Sequence, residues 1–195
     1  MENLRDKKHA IFESTLDLIK QHGFHGAPMS LVAKNAGVAA GTVYHYFESK
    51  EQLICELYNY NRERLVMIIN SCLQQTSSYK EKFFKIWTDL YKFYVKEPNV
   101  LIFFEQFINS PFNVDQYKSD AGGMLHDFFA EGIKKGVIKS VKLEILLVLF
   151  MGSIHSTAKL QVFAKIPVTN SDLNRIVEIL WDGVTATKKP LRTRI

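Results

Sequence analysis

The sequence predicts an all-α protein, with a small three-helix unit first and a larger helical domain after it. Apolar residues recur every three to four positions in nearly every segment from Arg5 to Thr185, as one face of a helix requires. Alternating apolar and polar runs, the mark of a half-buried strand, are not seen, nor is an internal repeat. The breaks between segments carry helix punctuation: Gly23, Gly37 and Gly136 as stops, Ser49 as a cap, and Pro98 as an interruption.

Composition narrows the possibilities. At 195 residues and 47% apolar, the chain can hold one ordinary domain, or a small one fused to a larger one. The charged stretch Met1 to Lys8 is unlike a secretory signal. The most apolar run, Ile145 to Met151, is far short of the ~20 residues a membrane span needs. Cys55 and Cys72 lie in one predicted helix and cannot build a disulfide framework. No Cys/His cluster has zinc spacing. The expectation is a reduced, cytoplasmic protein with no membrane, no metal and no cofactor. The net charge of +5 is a weaker clue than it looks. Lys188, Lys189, Arg192 and Arg194 belong to a basic tail at 188–195, read as a solvated end. Without them the balance is 21 basic against 20 acidic residues, so pI alone does not argue for nucleic acid.

The first helix is expected from about Arg5 to His22. Ile11, Thr15 and Leu18 form one line on it, with Phe12, Leu16 and Ile19 beside them. Gly23 ends it, and Phe24 packs back. The stretch from Met29 to Lys50 then reads as two short helices joined by a tight turn. Val32, Ala33 and Ala36 give the first an apolar side, and Gly37 supplies the positive φ of the stop. Val38 fits as the plug between the helices. The second runs from about Ala39 or Ala40 to Phe47. Ala39, Ala40 and Gly41 leave its first turn nearly bare, while Thr42, Tyr44 and His45 follow as polar or aromatic groups. Such a helix can lie in a major groove with its backbone near phosphates and a few side chains at base edges. Tyr46 and Phe47 read as core.

Ala36-Gly37-Val38, then Gly41-Thr42-Val43-Tyr44-His45-Tyr46-Phe47, then Ser49-Lys50-Glu51-Gln52-Leu53 resemble the DNA-binding signature of the TetR family of transcriptional regulators. The resemblance covers about residues 5 to 60. It implies that Gly41 permits close approach to the DNA backbone, that Thr42 and Tyr44 meet phosphates, and that Ala40 and His45 sit where sequence is read. It implies that Lys50 meets a phosphate at the start of the next helix. Two positions depart from the family pattern. Ala39 stands where many members have Ser, and Pro28 where many have Thr or Ser. Ser30, one turn on, can supply the hydroxyl that Pro28 lacks.

Beyond the motif, Ser49 and Gln52 form a capping-box pattern for a long helix toward Thr76, with Ile54, Leu57, Tyr58, Leu65, Ile68 and Cys72 at helical spacing. Carrying Lys50 at one end, it can transmit a shift at its far end, because a helix is stiff. Further helices are expected over Tyr79–Glu97, Val100–Ile108, Val114 to Gly136, Val141–Phe163 and Asn170–Thr185, with Ser171 and Asp172 as caps for the last. The domain division is read as 1–50 for the DNA-binding head, with helix 51–76 as connector. Residues 51–187 then form the regulatory and dimerisation domain.

The resemblance also implies a use for the second domain. Regulators of this family are dimers in which the last helices of two subunits form a four-helix bundle. Leu147, Phe150, Gly152, Ile154, Ile176, Leu180 and Trp181 are the expected interface. A twofold dimer presents two recognition helices to a pseudo-palindromic site in double-stranded DNA. The family also commonly holds a small-molecule pocket in this domain. Trp87, Tyr91, Phe104, Phe107, Phe128 and His155 are its expected lining, which would suit a hydrophobic effector. The expected function is a ligand-responsive repressor. The alternative is a DNA-binding adaptor whose second domain takes a protein partner. Enzyme chemistry finds no support: there is no Gly-rich phosphate loop, metal spacing or nucleophile motif, and no catalytic residue is assigned. His9 and Glu13, four apart on a helix, read as a surface pair.

Overall fold

A computed structural model describes residues 2–75, 78–113 and 121–186. These hold nine helices and no strand: α1 (Glu2–His22), α2 (Met29–Asn35), α3 (Ala40–Tyr46), α4 (Lys50–Gln75), α5 (Tyr79–Lys96), α6 (Pro98–Ile108), α7 (Ala121–Lys134), α8 (Leu143–Val162) and α9 (Asn170–Val184). The protein is all-α, as expected. The expected helix start at Val114 and the basic tail at 188–195 lie outside the described residues.

The chain forms two compact units, and they interleave along the sequence. The first comprises Met1–Arg64 and Glu97–Ser119; the second comprises Leu65–Lys96 and Asp120–Ile195. This division in packing differs from the functional one read at residue 50, because α6 returns to pack on α1.

In the first unit, Ile11, Phe12, Leu16 and Ile19 of α1 are buried with Val32 and Ala33 of α2, Val43 of α3, and Leu53, Ile54 and Leu57 of α4. Polar bonds fix the helices in register. The Ser14 hydroxyl donates to the Val32 carbonyl at 2.9 Å. On α6, the Asn99 amide donates to the Asp17 carboxylate at 2.6 Å, and the Gln106 amide to the Ile19 carbonyl at 3.3 Å. Pro98 both interrupts the preceding pattern and starts α6, in the first turn where its missing N–H costs nothing. At α4 the Ser49 hydroxyl accepts the Gln52 N–H, as the capping pattern requires. The Gln52 side chain, however, accepts from the Glu48 N–H, one residue before the expected partner.

The second unit is built around aromatic rings. Phe83 meets Phe150, Trp181 and Phe129 with centroids 4.9, 5.1 and 6.1 Å apart. Tyr79 stacks on Phe128 at 4.3 Å while its hydroxyl donates to the Phe128 carbonyl. Gly132 permits this approach, because a Cβ there would lie 2.2 Å from the Tyr79 oxygen. The cap of α9 corrects the sequence reading. Thr169, not Ser171, is the cap residue, and it exchanges reciprocal bonds with Asp172. Thr169 sits three residues before Asp172, as the capping box demands.

The apolar helix α8 has two faces. Leu146, Phe150, Ile154 and Ala158 are buried in the unit's own core, whereas Ile145, Val148, Leu149 and Leu160 are exposed. It is long and apolar enough to pass for a membrane span by length and composition, and one of its faces packs in the unit's core.

Candidate nucleic-acid interface

Two short helices and a glycine turn place the candidate contacts. After α2 the chain turns through Gly37 at φ 66°, in the left-handed region that glycine adopts without a Cβ clash. The Gly37 N–H bonds the Lys34 carbonyl and the Val38 N–H bonds the Ala33 carbonyl, closing the turn. Val43 and Phe47 are fully buried and anchor α3, and Phe47 packs on Phe12 of α1 at 5.6 Å. Tyr46 is half-buried and meets Phe47.

Anchoring through Val43 and Phe47 turns the rest of α3 outward. Ala39, Ala40, Gly41, Tyr44 and His45 are exposed, Tyr44 to 55%, and Thr42 is half-buried. Ser30 is exposed on the first turn of α2. These candidates therefore share the solvent-facing side of the two helices. Neither helix begins with a side-chain cap, so no side chain covers their first turns. A Cβ added at Gly41 would meet nothing within 4 Å. Its glycine is thus not required by packing inside the chain. Pro28 precedes α2 as its cap residue, and its carbonyl accepts the Leu31 and Val32 N–H groups at 2.9 and 3.0 Å.

Lys50 is half-buried, and its ammonium donates to the Phe24 carbonyl in the turn after α1. Burial holds its pKa below the usual lysine value, against the opposing charge of Glu51. An ammonium has three donors, so this bond orients Lys50 and leaves others for a phosphate. The Phe24 contact is invisible in the sequence, because it joins residues 26 apart through a carbonyl every residue has.

The expected ligand-lining residues fall in both units. Phe104 and Phe107 belong to the first unit and pack on Tyr58, Phe107 stacked at 4.3 Å. In the second unit, Trp87 stacks on Tyr91 at 5.7 Å and donates its indole N–H to Ser153. The Tyr91 hydroxyl donates to Gln161, Phe128 lies against Tyr79, and His155 meets the Tyr94 ring edge-on at 4.7 Å.

The expected dimer residues also divide. Phe150, Ile154 and Trp181 are buried within the chain's own core, which removes them from any outer surface. Gly152 is exposed; Leu147, Ile176 and Leu180 are half-buried. Sequence reasoning missed the most exposed apolar positions, Val148 at 70% and Ile179 at 68%.

Comparison with known proteins bears on both halves of the chain. Residues 11–57 match the family model for bacterial regulatory proteins of the tetR family, and residues 78–185 match that for the tetracyclin repressor-like C-terminal domain. An uncharacterized HTH-type transcriptional regulator from Haemophilus influenzae is 23% identical over 179 residues, covering 92% of this chain and 96% of that protein. A TetR family transcription regulator from Marinobacter aquaeolei superposes with a TM-score of 0.89 at 20% identity, over 95% of this chain and 99% of that one. The transcriptional regulator FadR from Bacillus subtilis, solved in complex with stearoyl-CoA, gives 0.73 at 22% identity over 90% and 98%. With its outward-facing helix-turn-helix and both family models matched, the chain belongs to the TetR family of transcriptional regulators and is not an enzyme.

Proposed function

We propose that this regulator is a homodimeric repressor that binds a pseudo-palindromic operator and is released by a hydrophobic small molecule. The observation that carries the reading is the outward face of α2 and α3: Ser30, Ala39, Ala40, Gly41, Thr42, Tyr44 and His45 beside an anchored Val43 and Phe47. In this reading Thr42 and Tyr44 hold phosphates, Gly41 admits the backbone, and Ala40 and His45 face base edges. Lys50, oriented by Phe24, adds a phosphate contact. Residues 1–50 act as the reading head and 51–187 as the regulatory body, in a cytoplasmic protein.

The exposed apolar side of α8 and α9 supports a second copy of this chain as partner. Val148, Leu149, Ile145 and Ile179, with the bare Gly152, offer apolar area and close approach. A long-chain acyl thioester is the effector class that FadR's stearoyl-CoA suggests. The aromatic residues of α5 and α7 give the second unit the apolar material for it.

The test couples the two halves. The protein is offered a random duplex pool, and the selected duplex is titrated with protein at rising stearoyl-CoA. Release of the duplex at concentrations where the thioester binds is expected. Thioester binding that leaves duplex affinity unchanged would remove the effector from the reading and leave DNA binding intact.

A further inference from the structure

The chain leaves the first unit after Arg64 and re-enters it at Glu97. These two residues are joined to each other. The Arg64 guanidinium donates to the Glu97 carboxylate at 2.7 Å, with both side chains about three-quarters buried. It also donates to the Asn61 side chain at 3.0 Å and lies over the Tyr60 ring at 5.7 Å. Asn61 is fully buried and in turn donates to the Leu57 carbonyl. The guanidinium is therefore held on three sides, a bidentate-capable group fixed in one geometry.

From this point a continuous aromatic row reaches the recognition helix. Tyr60 meets Phe12 at 5.1 Å, and Phe12 meets Phe47 at 5.6 Å. Phe47 follows α3 directly, and its N–H bonds the Val43 carbonyl. On the other side of the ion pair, Glu97 opens α6, whose Asn99 and Gln106 are bonded to α1. Every step lies inside the first unit and joins packed groups.

We propose that the Arg64–Glu97 pair is a positioning clasp that fixes α3 through the Tyr60–Phe12–Phe47 row. It joins two of the points at which the chain crosses out of and back into the first unit. The clasp touches no DNA; it acts through Phe47. The link to sequence reading rests on the DNA-binding function proposed above, whereas the hold on α3 does not.

The test uses the full-length protein and the variants Arg64→Gln, Glu97→Gln and the double variant. Without DNA, hydrogen exchange is followed at the amides of α3 and Phe47, with α9 as the reference. Each single variant is expected to speed α3 exchange about tenfold relative to α9, and the double variant to match the singles, because one interaction is lost in all three. Equal acceleration in α3 and α9 would mean plain destabilisation and would overturn the proposal. So would unchanged α3 exchange, or additive effects in the double variant. On the duplex selected by the wild type, the ratio of affinities for that duplex and a scrambled one should fall in the singles, while affinity for the scrambled duplex holds. If the wild type selects no duplex, the DNA-binding reading fails, and the clasp still stands or falls on the exchange result.

Discussion

The two units treat their exposed side chains in opposite ways. On α2 and α3 the exposed residues are small or polar, with Tyr44 as the large exception, and the apolar ones are turned inward. On α8 and α9 large aliphatic residues face outward: Ile145, Val148, Leu149 and Ile179. Under the proposed function the first surface must be specified residue by residue, because hydrogen bonding and close approach tolerate few substitutes. As a dimer interface the second would need only apolar area and fit, which many residues supply.

The strongest way to break this comparison is to exchange the assigned faces of α8. Phe150→Ala should lower the unfolding free energy by about 3–5 kcal/mol in urea denaturation, through transfer and cavity costs together. An equal loss from Val148→Ala would mean that the two faces were misassigned. Next, Val148→Asp combined with Ile179→Asp should convert a dimer to a folded monomer in sedimentation velocity, with helical circular dichroism unchanged. A variant that still sediments as a dimer would place the interface elsewhere.

Gly41→Ala separates folding from reading within the head. The methyl meets nothing inside the chain, and alanine favours helix over glycine by up to about 1 kcal/mol. Thermal stability should therefore rise slightly while DNA affinity falls. A variant both more stable and equally tight on DNA would remove the close-approach role. The smallest effect concerns Cys72 in the second unit. Burial, and then its hydrogen bond to Asp89, pushes its thiol up to about 11. A raised acid pKa in the folded state stabilises fully below the unfolded value and is lost as pH rises through the folded one. Cys72→Ala should accordingly flatten the fall in stability between roughly pH 8.5, the ordinary thiol value, and 11. Cys72 should also resist alkylation at neutral pH in the native protein.

What the sequence made legible follows the same contrast. The glycine stop at Gly37, the bare turn at Ala39–Gly41 and the buried Phe47 were all readable, because each rests on local chemistry at fixed spacing. The helices from α1 to α9 were readable from periodicity. The inward face of α8 was not. Its residues are apolar around most of the circumference, so no polar stripe marks the solvent side, and Phe150 and Ile154 could not be told from Val148 by pattern. Trp181, expected at the dimer interface, is buried in the second unit's own core, and the sequence alone could not decide, since interfaces and cores both favour aromatic rings. The return of α6 to the first unit was hidden because Asn99–Asp17 and Gln106–Ile19 are pairings across more than eighty residues. Ser171 looked like a cap beside Asp172, and only the backbone turn at Thr169 decides between them.

The central claim is that the outward face of α2 and α3 reads DNA. Its most direct measurement is fluorescence anisotropy of the selected duplex against a scrambled one across a salt series, with Thr42→Ala and Tyr44→Ala alongside. Binding should be tighter to the selected duplex, affinity should fall with salt, and removing each phosphate-bonding side chain should cost about 1.5–3 kcal/mol. Equal affinity for the two duplexes, or wild-type binding in both variants, would contradict it.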